Sequence, residues 1–342
     1  MQVGLVTGRE RIELRSFPQP EPAPGKAVVQ IAYCGICGTD LHAYQTGEPY
    51  NPAICGHEWC GTVSAAAPDG GPREGDRVAI GIASPCGRCP TCARGDAAHC
   101  EQAFAGLIGQ GPLAAPHGGF ASAIAIDSGR LYRVADGIDD LHAAMLEPAT
   151  IAVHAVRRTP IRLGDVVVVL GAGPIGLLVA QSAKIAGAGA LVVVEPQAER
   201  RALARTLGAD LLVDPAREDS RERIAAFAGG DADVVFECAG IPQTIDAAVG
   251  LCRRGGTVSL VGVPDAPSTI HGATWLVKEV NLTASLGYLR EEFAITQALV
   301  QDGRLQLLPL HSSTVGLSGL ADAFAALCER PGDIKVLVDP NR

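Results

Sequence analysis

This sequence has few aromatic residues and no long apolar run. Phe, Tyr and Trp together make up 4% of its 342 residues, which predicts a core of small aliphatic side chains. No apolar stretch approaches the roughly 18 residues that a membrane-spanning helix needs. The first residues, MQVGLVTGRERIEL, also lack the apolar segment of a signal peptide. These absences predict a cytoplasmic protein without a membrane partner.

The sequence also has no excess of positively charged residues. The 28 Lys and Arg residues are outnumbered by 37 Asp and Glu residues, giving a formal net charge of −9. This balance argues against nucleic acid or an anionic membrane as a partner. The eleven cysteines are an odd number, so a complete set of disulfides is excluded. In a chain predicted to be cytoplasmic, reduced thiols are instead available as metal ligands.

Four of those cysteines stand close together in the run CGRCPTCARGDAAHC. The spacing of Cys86, Cys89, Cys92 and Cys100 lets one loop surround a tetrahedral metal ion. Four thiolates leave no position open for a substrate, so a zinc ion held this way is structural. An iron–sulfur cluster uses similar spacing, and a chance group of thiols is the plainer alternative.

The pattern of apolar, glycine and proline residues changes after Thr150. Up to that point, Gly and Pro interrupt short apolar runs such as AVVQIAYCG and DRVAIGI, which is typical of brief strands. Beyond it, runs such as VVVVL alternate with helical segments, which favours a parallel sheet covered on both faces. We therefore predict an α/β protein with a strand-rich catalytic domain over 1–150, a doubly wound nucleotide-binding domain over 151–289, and a tail over 290–342 that returns to the first domain.

The run GAGPIG fits the pattern G-x-G-x-x-G between a predicted strand and a predicted helix. Gly171 permits the tight turn, Gly173 lets a pyrophosphate approach the backbone, and Gly176 allows the helix to pack on the strand. The helix begins at Pro174 and Ile175, where free N–H groups and the helix dipole attract phosphates. The run therefore predicts a dinucleotide site.

Glu195 ends the next predicted strand, and its carboxylate is placed to accept hydrogen bonds from ribose hydroxyls and to repel a 2′-phosphate. This favours NAD over NADP as the cofactor. Arg200, counted among the cofactor-binding residues, and Arg201 lie just beyond and would soften that preference. The plainer alternative for Glu195 is a solvated carboxylate at a strand end.

A second group of candidate metal ligands comes from distant segments. Cys34 and Cys37 lie in YCGICGTDLH, His57 and Glu58 lie in GHE, and Glu147 comes much later. A catalytic zinc needs about three protein ligands and one open position. Cys37, His57 and one of the two glutamates would supply that set, with Cys34 as a competing thiolate. Spacing alone does not choose between them.

Together these motifs resemble those of the zinc-dependent medium-chain alcohol dehydrogenases, most closely the polyol, threonine and 2,3-butanediol dehydrogenase branch. The motifs are GICGTDLH at 35–42, GHE at 56–58, the four-cysteine loop at 86–100, EP at 147–148 and GAGPIG at 171–176. The resemblance implies a GroES-like catalytic domain and a Rossmann domain, with NAD and two zinc ions, one catalytic and one structural. It also implies a homodimer or homotetramer, for which the segment from 257–263 onwards would present a sheet edge.

The resemblance further implies individual roles around the catalytic zinc. Cys37 and His57 are implied ligands, and either Glu58 or Glu147 is a ligand that yields to water or substrate. Neighbours on a regular strand face opposite ways, so His57 and Glu58 can both bind only if the backbone bends between them. The presence of Glu147, where another branch has cysteine, points towards secondary alcohols and polyols.

Thr39 and His42 match family positions that belong to a proton relay. A hydroxyl both accepts and donates a proton, and histidine has a pKa suited to carrying one towards solvent. The plainer alternative for His42 is a partly exposed histidine, and Asp40 is equally explained as a turn or capping residue.

The leading hypothesis is hydride transfer between NAD and a secondary alcohol, a polyol or a cyclitol-like small molecule, with zinc as the Lewis acid. The first alternative is a threonine-type amino-alcohol dehydrogenase, which would need groups for an ammonium and a carboxylate. The second is a non-catalytic nucleotide-binding relative. That alternative predicts the loss of Cys37, His57 or the Thr39 hydroxyl, and all three are present.

Overall fold

The computed structural model describes residues 1–264, 266–329 and 332–342. These residues form two compact units. The first unit contains 1–147, 287–301 and 310–342, and the second contains 148–286 and 302–309. Among the helices that the structure describes, none has the length and apolar character of a membrane span.

The first part of the chain consists of short elements joined by turns. The elements are β1 (Gln2–Gly8), β2 (Arg11–Ser16), β3 (Lys26–Gly35), α1 (Gly38–Thr46), β4 (Glu58–Ala65), β5 (Arg77–Ile80), α2 (Pro90–Ala93), α3 (Glu101–Leu107), β6 (Ala123–Asp127), β7 (Leu131–Arg133), α4 (Asp140–Ala143) and α5 (Leu146–Arg158). Of these, β1 and β2 form an antiparallel hairpin.

The middle part alternates strands and helices, as the buried valine runs predict. The elements are β8 (Val166–Leu170), α6 (Pro174–Ile185), β9 (Ala190–Val194), α7 (Ala198–Thr206), β10 (Leu211–Val213), α8 (Ser220–Ala228), β11 (Ala232–Glu237), α9 (Pro242–Leu251), β12 (Cys252–Leu260), α10 (Gly272–Lys278) and β13 (Asn281–Ala284). The strands form one parallel sheet in the order β10-β9-β8-β11-β12-β13. The strand order reverses direction between β8 and β11, where doubly wound sheets bind ligands.

The predicted sheet edge, the strand near 257–263 and the segment after it, is wrong for the strand itself, whereas the segment after it holds an edge strand. Residues 257–260 belong to β12, which pairs with β11 on one side and with β13 on the other. One edge of the described sheet is therefore β13, in the segment that follows 257–263, and the other edge is β10. Strand β13 runs parallel to β12 and is short and mostly exposed.

The last part of the chain returns to the first unit with α11 (Arg290–Gln301), β14 (His311–Gly316), α12 (Leu320–Glu329) and β15 (Lys335–Asp339). Apart from the β1–β2 hairpin, the described strands of this unit form a sheet in the order β14-β15-β3-β4-β5-β7, and β6 also pairs with β3. The register places Gly35 opposite both Glu58 on β4 and Leu337 on β15. The carboxyl end of β3 therefore meets the start of β4 and part of β15. The predicted fold class, a strand-rich domain plus a doubly wound parallel sheet, is confirmed.

Candidate active site and metal centres

Cys37, His57 and Glu58 form one group of side chains that could hold a metal ion, called here the mixed-ligand group. One ligand atom from each residue lies within 4.8 Å of the other two. Cys37 is the residue before α1, and Glu58 is the first residue of β4. The donor set of one thiolate, one imidazole and one carboxylate suits zinc and leaves a fourth tetrahedral position free.

The chain bends at Gly56, directly before His57, and His57 lies outside the strand β4, which begins at Glu58. Gly56 has a φ of 76°, which L side chains rarely adopt. A Cβ at this position would also lie 2.9 Å from the ring of Phe120 and 3.0 Å from the Sγ of Cys34. Glycine is therefore required here for two reasons. Because His57 precedes the strand, the alternation of a regular strand does not separate it from Glu58, and both side chains reach the mixed-ligand group.

Asp40 connects the two segments that carry the mixed-ligand group. This fully buried carboxylate accepts hydrogen bonds from the backbone N–H of Cys37 (2.9 Å), the N–H of Gly56 (3.2 Å) and the hydroxyl of Tyr50 (2.5 Å). Its Oδ1 also lies 3.9 Å from Nδ1 of His57. Asp40 thus caps α1 and holds the GHE turn against it, which agrees with the capping interpretation.

The ring of His57 is oriented by the backbone. Its Nδ1 lies 3.0 Å from the carbonyl oxygen of Ile54, so Nδ1 carries the proton in that hydrogen bond and Nε2 is left to act as a ligand. Burial lowers the pKa of this imidazole, but the charges of Cys37 and Asp40 outweigh burial and raise the pKa above its ordinary value.

Lys335 contacts the mixed-ligand group, and the sequence reasoning missed it. Its Nζ donates to Oε2 of Glu58 at 2.6 Å and to the carbonyl of Ile36 at 2.9 Å. Lys335 and Glu58 are 3% and 2% exposed. Burial lowers the pKa of Lys335, but Glu58 and Cys37 outweigh it and raise the pKa. A lysine directly before the apolar run VLV of this strand was the available signal.

Glu147 lies beside the mixed-ligand group without joining it, as far as the described residues show. It is 7% exposed, and burial together with the negative charge of Glu58 raises its pKa. The structure therefore brings both candidate glutamates to the same place and puts only Glu58 within the ligand distance.

Thr39 and His42 lie on α1, directly after Cys37. The hydroxyl of Thr39 is 3.8 Å from the Sγ of Cys37. His42 lies three residues further on, and residues at that spacing share one side of a helix. His42 is half-buried and Thr39 is exposed. Their role in a relay stays a prediction.

The four cysteines of the loop at 86–100 converge as their spacing predicts. Their Sγ atoms lie within 4.8 Å of one another, and those of Cys89 and Cys100 are 4.0 Å apart. Zinc–sulfur bonds of about 2.3 Å require sulfurs about 3.8 Å apart, so the group fits a zinc ion. The N–H of Cys86 donates to the Sγ of Cys100 at 3.2 Å, and the hydroxyl of Thr91 lowers the pKa of Cys89 to about 5. All eleven cysteines are free thiols.

The glycine turn of the second unit connects β8 to α6. Gly171 has a φ of 92°, and a Cβ on Gly176 would lie 1.9 Å from the carbonyl oxygen of Gly171. Gly173 caps the N-terminus of α6, where Pro174 and Ile175 form the first turn. Any side chain at Gly176 would displace the turn from the helix.

Glu195 holds this turn in place. Its Oε2 accepts from the N–H of Ala172 at 2.7 Å, and its Oε1 accepts from the N–H of Gln197 at 2.8 Å. Each oxygen keeps a second lone pair for a hydroxyl donor. Arg201 is committed elsewhere, since it binds the carbonyl of Glu195 (2.6 Å) and the carboxylate of Asp214 (3.0 Å).

Arg200 lies close to the glycine turn. Its Nη1 is 3.9 Å from the position that a Cβ on Gly173 would occupy. Of the two arginines in the sequence prediction, Arg200 is therefore the one near the backbone where a pyrophosphate would approach.

Comparisons with known proteins agree with this geometry. The model of the alcohol dehydrogenase GroES-like domain matches residues 23–136, and the zinc-binding dehydrogenase model matches residues 174–302. The (R,R)-butanediol dehydrogenase of Bacillus subtilis (strain 168) is 32% identical, covering 96% of this chain and 97% of that protein. The solved structure of 2R,3R-butanediol dehydrogenase from Bacillus subtilis has a TM-score of 0.86 and 30% identity, covering 99% of each chain.

Two further proteins are similar over most of their length. The sorbitol dehydrogenase of Halalkalibacterium halodurans is 32% identical, covering 94% of each chain. A zinc-binding dehydrogenase from Sinorhizobium meliloti 1021, solved with NADP bound, is 30% identical with a TM-score of 0.85, covering 99% of each chain. The chain belongs to the zinc-dependent medium-chain alcohol dehydrogenase family. The resemblance based on motifs is confirmed.

Proposed function

We propose that this chain is an NAD-dependent dehydrogenase that transfers hydride between the nicotinamide and a secondary alcohol of a diol, polyol or cyclitol-like substrate. The observation that carries the proposal is the mixed-ligand group, Cys37, His57 and Glu58, in a member of this family. We assign the catalytic role to the first unit and the nucleotide-binding role to the second. When bound, zinc supplies a Lewis acid for the substrate oxygen, and NAD accepts the hydride.

We assign the remaining roles near the metal to residues of the first unit. Glu58 is the resting third ligand because its carboxylate, unlike that of Glu147, lies within the ligand distance. Glu147 is a buried carboxylate beside it, placed to bind a displaced water or the substrate. Thr39 takes the proton from the substrate hydroxyl, and His42 passes it towards solvent.

The four-cysteine loop is assigned a structural role. Its four thiolates saturate a tetrahedral ion, so the metal stabilises the loop and takes no part in the chemistry.

We propose NAD rather than NADP as the preferred cofactor. Supporting this, the carboxylate of Glu195 would repel a 2′-phosphate, and Arg201 is already paired with Asp214. Arg200 is assigned to the phosphate side, because it lies near Gly173. The relative from Sinorhizobium meliloti was solved with NADP, so the preference needs its own test.

The substrate class follows the printed activities of the relatives, which are those of butanediol and sorbitol dehydrogenases. These names do not favour the threonine-type alternative. The non-catalytic alternative is opposed by the mixed-ligand group, since a relative without chemistry has no need of an open metal position.

We also propose that the protein forms a homodimer or homotetramer through the edge of the parallel sheet. Strand β13 lies at that edge, and apolar side chains near it are exposed, namely Leu276, Val277, Leu282 and Leu286. Pairing of two β13 strands would cover both the unpaired backbone and these side chains. Light scattering tests this assembly, and a monomer at micromolar concentration would contradict it.

The experiment for the catalytic proposal is NAD reduction by the zinc-replete protein with vicinal diols, polyols, cyclitols, threonine and simple secondary alcohols. We expect turnover with a diol, polyol or cyclitol and none with threonine. The Cys37→Ala variant, which lacks the proposed thiolate ligand, is the negative control. Turnover with threonine alone would establish the amino-alcohol alternative. A protein that holds two zinc ions and NAD but oxidises none of these alcohols would contradict the proposal.

A further inference from the structure

The ion pair between Lys335 and Glu58 joins the last strand of the chain to the mixed-ligand group. Lys335 opens β15, and Glu58 opens β4. The Nζ–Oε2 distance is 2.6 Å, and both side chains are at least 97% buried. Removing one member of a buried pair leaves the other charge without compensation, so such a contact constrains both side chains strongly.

The space for the Glu58 carboxylate is limited on its other side by Gly35. A Cβ on Gly35 would lie 2.4 Å from Oε2 of Glu58 and 3.3 Å from its Cβ. Lys335 is fixed in turn by the carbonyl of Ile36, to which it donates at 2.9 Å. The Oε2 atom therefore lies in a pocket formed by the end of β3 and by Lys335, and its position is set by the protein.

The carboxylate that Lys335 binds is also a candidate metal ligand. One oxygen of Glu58 is within 4.8 Å of the ligand atoms of both Cys37 and His57. A carboxylate offers a metal either one oxygen or two, and the second choice would occupy the fourth position of a tetrahedral site. A charge-assisted hydrogen bond to one oxygen competes with that second choice.

We propose that Lys335 is a positioning residue that keeps Oε2 of Glu58 in a hydrogen bond and away from the metal. Glu58 then binds the metal through its other oxygen only, and one coordination position stays open for the substrate. The inference rests on the proposed metal centre. It accounts for a buried lysine that the hydride-transfer chemistry does not itself use.

The test replaces zinc with cobalt(II) and reads the visible spectrum, which reports coordination number without any turnover. Lys335→Met removes the ammonium, and Lys335→Arg keeps a positive donor. Lys184→Met is the matched control, because Lys184 forms a 2.6 Å pair with Asp210 in the second unit. Azide is the probe for the open position.

We expect Lys335→Met to change the cobalt spectrum from four-coordinate to five-coordinate and to weaken azide binding by about tenfold, the usual scale for residues that orient metal ligands. Lys335→Arg and Lys184→Met should keep the spectrum and the azide affinity of the parent protein. If Lys335→Met does not fold, Lys335→Gln replaces it, because its side chain is one bond too short to hold Oε2.

An unchanged spectrum and azide affinity in the neutral variants would overturn the inference, as would an equal change in Lys335→Arg or Lys184→Met. Failure of the proposed function has a different signature. In that case the parent protein itself would show no thiolate-to-cobalt band beyond that of the four-cysteine loop.

Discussion

The two candidate metal-binding groups of the first unit differ in where their ligands come from. The four-cysteine loop takes all its ligands from one run of 15 residues, 86–100, and each is a thiolate. The mixed-ligand group takes Cys37 from the start of α1 and the other two from the GHE turn. A closed set of like ligands stabilises a loop, whereas an unlike set with an open position supports chemistry.

The difference extends to what surrounds the ligands. Backbone N–H groups, such as that of Cys86, donate to sulfur within the four-cysteine loop. The mixed-ligand group depends instead on side chains, namely Asp40 on α1, which also binds Gly56 of the GHE turn, and Lys335 on the distant strand β15. The comparison predicts that changes in the first group affect mainly stability and changes in the second affect mainly rate.

The largest expected effect is that of Cys37→Ala. Loss of the thiolate removes the metal from the mixed-ligand group, so turnover should fall by at least about 10³-fold, or ~4 kcal/mol in activation free energy. Elemental analysis should find one zinc ion per chain instead of two. The thermal midpoint should change little. Near-normal turnover would show that the chemistry is located elsewhere.

Cys92→Ser is the reciprocal change in the four-cysteine loop. The loop should lose its zinc, and the thermal midpoint should fall by about 5–10 °C, since structural zinc contributes folding free energy directly. Calorimetry measures the midpoint, and Cys328→Ser, at a half-buried thiol on α12, is the matched control. A variant that keeps two zinc ions and its midpoint would contradict a structural role for the loop.

Much of the difference between the two groups could be predicted from the sequence, because features formed within one short segment depend on neighbouring residues. The spacing of Cys86, Cys89 and Cys92 and the GAGPIG turn each lie within one short segment, so their geometry is set by neighbouring residues. The adjacency of His57 and Glu58 likewise predicts a departure from regular strand geometry between them, if both bind one metal ion.

The contacts around the mixed-ligand group could not be predicted from the sequence. Lys335 and Glu58 are 277 positions apart, and only the pairing of β15 with β3 brings the last strand to this end of the sheet. Likewise, the hydrogen bond from Tyr50 to Asp40 depends on how the chain folds back before the GHE turn. The choice between two glutamates depends on tertiary packing, which spacing does not encode.

A smaller effect is expected at the nucleotide turn, which holds no metal ligand. Glu195→Ala should reduce the ratio of kcat/KM for NAD to that for NADP by about tenfold, or ~1.4 kcal/mol, because the charge that repels a 2′-phosphate is lost. Metal content should not change. Glu199→Ala, at an exposed carboxylate on α7, is the control. An unchanged ratio in Glu195→Ala would mean that other residues recognise the ribose.

The smallest effect is expected at a surface ion pair, which sets a baseline for the buried one. Arg221 binds Asp231 through two hydrogen bonds of 2.9 Å and, together with Lys278, lowers the pKa of Asp231. The pair therefore stabilises the fold above the unfolded pKa of about 3.9 and loses that contribution as pH falls through the lower folded value.

Asp231→Asn should accordingly reduce the free energy of unfolding by only about 0.5 kcal/mol at pH 7, because the Arg221 side chain is 61% exposed and solvent screens the pair. Denaturant titrations at pH 7 and at about pH 3 measure the difference, which should shrink towards zero in acid. A difference that grows in acid would contradict the stated cause of the pKa shift.

The central claim, that one metal site is open and catalytic and the other closed and structural, is tested most directly by timed zinc removal from the unmodified protein. Dipicolinate can approach a metal with an open position, whereas four thiolates exclude it. Zinc content, turnover and thermal midpoint are followed in the same samples. Turnover should disappear with the first zinc ion while the midpoint holds, and the midpoint should fall only with the second. If the midpoint falls with the first zinc ion and turnover survives, the assignment of the two sites is wrong.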